Sequence, residues 1–352
     1  MGANLAVNLR YMVIEAEGTP GTMETPLTAD HVIRIRDINL SPDISFDNEN
    51  SKYAQGNHAE DEAIAGMQAA EITCSVKVAY SGTVTTEPNW WKLCKMCGLG
   101  AIGWNSDTEV AVGSAVEGIS LVNRAAYDDV SYTCWVFDTE VGSSPATKIY
   151  KLKGCMGNVV FTAENVGAPV MANFTIRGAL SDIVDGDAIA MSAPQTQLPQ
   201  AWLNSATTIF GTWTAGVITD GTTVCASSFS LDLGNDIQPL ICQSEATGIK
   251  QFVRTATRPR LSINPLAVKQ ATTDDLAQIL AQTTGGINIA LGTNMRIKAL
   301  DAQKMNPGLA SREGLVNWEH TFRCLQNGVP GTLADTALDL EDTIEIAQGL
   351  RT

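Results

Sequence analysis

The sequence predicts a mainly β fold: two tandem β domains, each with one flanking α-helix and a long polar loop. Three observations predict it. Nine segments alternate apolar and polar residues with a period of two. Only two segments carry helix start and stop signals. The order of these elements recurs in the two halves of the chain. The 352 residues suit two domains of ordinary size, and 44% hydrophobic content is enough to build their cores.

The strands come first. In "EITCSVKVAYSG" Ile72, Cys74, Val76, Val78 and Tyr80 share one side, and Thr73, Ser75, Lys77 and Ala79 the other. That period marks a strand with one buried face. The same alternation runs through 32–46, 131–138, 146–154, 170–180, 228–234, 287–292, 294–302 and 315–326. The first helix is expected in "TEPNWWKLCKMCG", with Thr86 as cap, Glu87 and Pro88 in the first turn and Gly98 as stop. The second is expected in "TTDDLAQILAQTTGG", with Thr273 as cap, Leu276, Ile279 and Leu280 inside, and Gly285 as stop.

These helices overlay. Thr85-Thr86-Glu87 lies over Thr272-Thr273-Asp274, Leu93 over Leu280 and Gly98 over Gly285. Carried upstream without a gap, the overlay puts Cys74 on Leu261, Ser75 on Ser262, Ile44 on Leu231 and Asn48 on Asn235, and strand parity is kept. Parity is the informative part, because a one-residue slip turns a strand inside out. Further on, "FTIRG" (174–178) matches "HTFRC" (320–324). The expected domains are 1–195 and 196–352, joined through the Pro- and Gln-rich stretch 192–205. The first carries an insertion around 101–130, read as an outward decoration or a stacking arm. Two equivalent long polar loops, 47–70 and 234–257, are expected to contact neighbouring molecules.

The chemistry-bearing motifs are weak. Cys94 and Cys97 form a C-x-x-C pair, but their overlay partners Ala281 and Thr284 lack sulfur, so both are expected to face the core. A structural zinc site needs four ligands, and His31, His58 and His320 are scattered. A redox pair would open a helix rather than close one. "GLGAIG" (98–103) follows a helix, the wrong side for a phosphate loop. "HAEDEA" (58–63) reads as a solvated loop, and "SDIVDGDA" (181–188) misses the calcium-loop spacing. No catalytic residue, cofactor or metal ligand is assigned, and no enzyme activity is expected. The eight cysteines are expected to be reduced. The net charge of −15 repels nucleic acid rather than binding it. No apolar run reaches the length of a membrane span, and no export or myristoylation signal is expected in "MGANLAVNLRYMVIEAEGTPG".

The order "TADHVIRIRDINLSPDISFDNE", polar loop, "AAEITCSVKVAYSG", "EPNWWKLCKMCGL", then "KIYKLKGCMGNVVFTAENVGAPVMANFTIRGAL", resembles the tail tube proteins (major tail proteins) of long-tailed bacteriophages. "SSFSLDLGND" and "RPRLSINP" are similar to the second domain of two-domain members. The resemblance implies tandem β-sandwich/barrel domains whose inner strands join into one barrel around a lumen. It implies homo-oligomeric rings, as a trimer with pseudo-sixfold symmetry or alternatively a hexamer, stacked into a conduit for DNA ejection. The implied partners are further copies of the chain, the tail terminator and tail tip proteins and the tape measure protein. DNA would only pass through the lumen, and no membrane is bound. The implied location is the virion tail, with assembly in the host cytoplasm.

Candidate contacts between rings or subunits are Asn48, Tyr53, His58, Glu60, Asp61, Glu62, Asn235, Asp236 and Glu245. Candidate lumen-facing residues are Thr73, Ser75, Lys77, Asn173, Thr175, Arg177, Asn317, Glu319 and Thr321. The alternatives are another tail component, such as a baseplate hub or the inner tube of a contractile tail, or a carbohydrate-binding β protein. The last would use exposed aromatics from among Trp90, Trp91, Trp104, Trp135, Trp202, Trp213 and Trp318.

Overall fold

The computed structural model describes residues 10–24, 32–33, 35–47, 64–82, 86–105, 108–110, 118–122, 130–139, 147–186, 198–202, 207–214, 217–219, 221–266, 275–292, 294–305, 308–312, 315–325 and 340–348. The first half holds β1 (Tyr11–Ala16), β2 (Val32–Ile33), β3 (Arg36–Asp47), β4 (Ile64–Lys77), β5 (Ala79–Tyr80), α1 (Trp91–Met96), β6 (Leu99–Asn105), β7 (Thr108–Val110), β8 (Gly118–Val122), β9 (Tyr132–Thr139), β10 (Thr147–Ala163) and β11 (Met171–Gly186). The second holds β12 (Leu198–Pro199), β13 (Thr207–Thr214), β14 (Val217–Thr219), β15 (Thr222–Val224), β16 (Ala226–Asp232), β17 (Asn235–Ile241), β18 (Ile249–Thr257), β19 (Arg260–Pro265), α2 (Asp275–Leu280), β20 (Thr284–Leu291), β21 (Met295–Lys304), β22 (Gly308–Arg312), β23 (Leu315–Leu325) and β24 (Leu340–Gln348). The fold is mainly β, and all nine alternating segments are strands. Ile72, Cys74, Val76, Val78 and Tyr80 are buried together, as their spacing requires.

The strand order repeats. In the first half antiparallel pairing runs β1-β9-β10-β11-β4-β3. In the second it runs β13-β20-β21-β23-β19-β16. The far end of β10 then pairs with β16, Val160 facing Asp232 and Ala163 facing Phe229. Through this junction the pairings form one branched sheet, and one buried cluster draws side chains from both halves, among them Phe161, Phe174, Leu231 and Phe322.

Two parts of the sequence overlay need correction. Ser75 faces Asn173 and Ser262 faces Thr321. With Ser75 on Ser262, Phe174 therefore matches Phe322, not His320. The slip is two residues, so parity survives. Ile44 faces Gln68, whereas Leu231 faces Leu261. The ungapped overlay thus fails at β3 and β16, because the two hairpin arms differ in length.

The stretch 234–257, expected as a long polar loop, is largely strand, and the described ends of 47–70 are strand too. β17 and β18 form a two-stranded ribbon over 235–257, and β3 and β4 pair out to Asp47 and Ile64. The ribbon escaped the alternation test because its register shifts at Asp236/Ile237 and Leu240/Ile241 break the period. Its apolar side, Ile237, Ile249 and Phe252, packs on Met156 and Ala179 of the first half. Gly154 makes this approach possible. Its φ is +59°, and a Cβ there would stand 2.5 Å from the Gln251 Cα.

The described strands of the insertion are built into the fold. β6 pairs with β8, β8 with β24, and β24 with β21. Ile119, Ile344 and Ile346 of these strands are buried. A buried carboxylate fixes the N-terminal turn: Glu17 accepts from the Gly21 N–H (2.7 Å), the Gly154 N–H (2.8 Å), Thr133 Oγ1 (3.1 Å) and Ser131 Oγ. Glu17→Ala leaves these donors without their acceptor, and we expect it to cost about 3 kcal/mol in urea unfolding. A loss below about 1 kcal/mol would show that water replaces the carboxylate.

Candidate functional site: a polar sheet face ending in two open edges

Pairing across the β10–β16 junction makes one run of strands, β3-β4-β11-β10-β16-β19-β23-β21. One face of this run is core. Along β11, Ala172, Phe174 and Ile176 are buried while Asn173, Thr175 and Arg177 are exposed. The other face is polar from strand to strand. Ser75 lies opposite Asn173, Thr73 opposite Thr175, and Thr162 opposite Ser230. Ser262 lies opposite Thr321. Lys77 is exposed at the end of β4.

The lumen-facing candidates therefore fall on one surface, with Glu319 exposed beside Thr321 on β23. Asn317 differs. It has the parity of Thr321 but is buried, because Leu266 bridges to it beyond the end of β19.

The charges on this face are mixed. Arg177 Nε donates to Glu71 Oε2 at 3.0 Å on exposed side chains, a pair that solvent screens heavily. Asp232 Oδ1 accepts from Asn158 Nδ2 at 2.9 Å and from the Gly234 N–H at 2.8 Å. At the positions matching Thr73 and Thr175, the second half has Arg260 facing Arg323. Both are exposed, and with Arg258 they line a cavity of about 210 Å³. The sequence expectations omit these arginines, although Arg323 lies two residues from Thr321, and Arg260 two from Ser262, the overlay partner of Ser75.

Of the loop candidates, Asn48, Tyr53, His58, Glu60, Asp61 and Glu62 lie outside the described residues. Asn235 is satisfied within the chain. Its Nδ2 donates to the carbonyls of Cys97 (2.7 Å) and Gly157 (3.0 Å), and its Oδ1 accepts from Thr257 Oγ1 (2.9 Å). Glu245, near the tip of the ribbon, accepts from Lys153 Nζ of β10 at 2.6 Å. Asp236 accepts from Gln238 at 2.8 Å on the exposed side of the ribbon. Asn235 and Glu245 thus tie the second half to the first within one chain.

The C-x-x-C pair lies in the core. Cys94 and Cys97 are fully buried on α1, and desolvation pushes both thiols well above their usual range. Gly98, at φ +92°, stops the helix and leads into β6, so "GLGAIG" opens a strand. Asp182 and Asp185 of "SDIVDGDA" lie on β11, opposite Lys151 and Lys148.

The two helices differ in cover. α1 buries Trp91, Leu93, Cys94 and Met96, and Trp90 anchors the turn before it through Nε1 to the Ala79 carbonyl at 2.9 Å. α2 is held from one side by Lys304 Nζ, which donates to Gln278 Oε1 at 3.0 Å. Its Leu276 and Leu280, expected inside, are 65% and 76% exposed. The first half has β6 beside its helix. The second half has no such insertion and runs directly into β20 at Thr284, so Gly285 lies in a strand and does not stop the helix.

The sheet also ends in open edges. Among the described residues β3 pairs only with β4. β20 covers β21 as far as Gln303, and β22 pairs only with β23. Leu309, Leu315 and Val316 on that hairpin are exposed.

No family model and no curated protein matches the chain.

Like charges directly opposite each other weaken a strand pair. Arg323→Thr, which removes the like-charge opposition to Arg260, is expected to raise stability by about 0.5 kcal/mol at low salt, with the gain fading as salt is added. Loss of stability instead would mean that Arg323 has an anionic partner. The thiols give a second test. Cys74 and Cys324 are pushed up to about 12 by burial. The unfolded chain ionises them near pH 9 and the native chain does not, so their contribution is whole below pH 9 and is lost between pH 9 and about 12. Unfolding curves across that range should show stability falling, and Cys74→Ser/Cys324→Ser should flatten the decline.

Proposed function

We propose that the chain is a structural protein that assembles with itself into stacked rings, forming the tail tube through which a long-tailed phage ejects its DNA. The observation that carries this reading is the continuous sheet with one polar face, built from the same strand order twice and open at both ends among the described residues. A sheet open at both edges is satisfied by further copies or by closure. Three copies would carry six repeats of the strand order around one ring. The polar face then lines the lumen, and outside the Arg258, Arg260 and Arg323 cluster its small neutral side chains and paired charges offer no continuous cationic track for phosphates to bind. The overall charge of −15 adds long-range repulsion of DNA. The tail terminator, tip and tape measure proteins would be the remaining partners.

The carbohydrate reading finds less support. Trp90, Trp91, Trp135 and Trp202 are buried and Trp318 is half-buried, so these rings offer no stacking platform.

Electron microscopy of the purified chain at rising concentration tests the reading. Stacked rings with three copies each are expected in end-on views. A compact monomer at all concentrations, with no ring in the virion either, would sink it.

A further inference from the structure

We propose that the open flank of the second half is a docking surface for the first half of another copy. The flank comprises Met305 at the end of β21, the β22–β23 hairpin and the outer face of α2. The incoming element is the free edge of β3, with Asn39 of that copy facing Met305. This rests on the self-assembly reading above and specifies the contact.

The molecule already contains the contact it needs to make. β9 covers β10 only as far as Cys155, and β16 takes the remaining edge from Val160 to Ala163. β20 likewise covers β21 only as far as Gln303, and among the described residues no strand takes the edge beyond it. The matching positions follow from the registers. Val159 faces Phe174, and Lys304 faces Phe322. Since Phe174 matches Phe322, Met305 matches Val160. Asp232 faces Arg260, and Asn39 faces Thr73. Since Arg260 matches Thr73, Asn39 matches Asp232. The internal pair Val160–Asp232 therefore maps onto Met305–Asn39, and β3 keeps its second edge free for it.

Apolar surface follows the same division. On the flank, Leu276, Leu280, Leu309, Leu315 and Val316 are each more than half exposed. On the approaching hairpin, Ile44 of β3 and Met67 of β4 are both 37% exposed. Ile237 of the ribbon, which matches Ile44 in hairpin register, is instead buried against the first half. A heterologous contact of this kind either closes a ring or grows a filament, and it uses different surfaces on the two partners. The occupant is therefore a second copy, approaching as this chain's own second half approaches its first.

The experiment uses the full chain with the two thiols outside the core removed (Cys225→Ser, Cys242→Ser). Asn39→Cys and Met305→Cys are placed in separate chains and mixed under mild oxidation. The mixture should give a covalent dimer while neither variant alone does, and the double variant should give a ladder ending at three. Thr162→Cys/Ser230→Cys, across the internal junction, should close within one chain and serves as the positive control.

Rings in micrographs without the Asn39–Met305 link, while the control closes, would overturn the docking assignment and leave the ring reading standing. No association by sedimentation at any concentration, together with no ring in the virion, would overturn both. Leu276→Asp/Leu280→Asp tests the helix face. These side chains are exposed, so the melting temperature should move by less than about 2 °C. The concentration needed for assembly should rise about a hundredfold. Assembly at the wild-type concentration would remove α2 from the surface and overturn the proposal as stated.

Discussion

The junction between β10 and β16 is the constraint on which the rest depends. A strand edge presents backbone donors and acceptors that must be paired, covered or wet. β10 is long enough to serve two neighbours on the same side: β9 takes its first part and β16 its last. Through that shared edge the two halves become one sheet, and their buried side chains one core. The core face is mainly apolar, with His320 and Lys304 as buried exceptions, and the opposite face is mainly polar except where Ala69, Met156 and Ala179 meet the ribbon.

Secondary ties then lock the junction. The ribbon β17–β18 lies back on β10 and β11, with Lys153 and Glu245 paired at its tip and Asn235 capping the end of α1. The Gly154 turn admits the ribbon backbone. The insertion reaches the other way, through β8 and β24, to β21. The first half is therefore covered at its edge, its helix and its outer face by material from its own chain. Among the described residues the second half is uncovered at the corresponding places.

Much of this was legible in the sequence, and the failures have physical causes. Period-two runs such as 72–80 and 170–180 report a buried face directly, and they gave the strands and the polar-face candidates Thr73, Ser75, Asn173 and Thr175. β1 and β13 escaped notice because "YMVIEA" is nearly all apolar and "TTIFGTWT" carries a glycine. Bulges hid the ribbon. The helix pattern predicts Leu276 and Leu280 inside, yet both are exposed, because amphipathicity does not say which surface, if any, covers a helix face. Asn317 shows the same limit: parity gave its side of the strand, while the bridge from Leu266, a long-range contact, set its burial. The inter-half pairings leave no local trace, since they join segments far apart in the chain.

Covalent connection of the halves has a kinetic consequence. The β10–β16 junction forms under tether, at an effective concentration fixed by the linker and not by how much protein the cell has made. In a ring of three copies, half of the seams would be closed at folding and would not dissociate on dilution. Only the other half would obey mass action, so the order of the closure reaction would fall from six bodies to three. The departures from symmetry, an insertion in one half and a bare helix in the other, would also keep the tethered and untethered seams distinct and fix the phase in which repeats alternate around the ring.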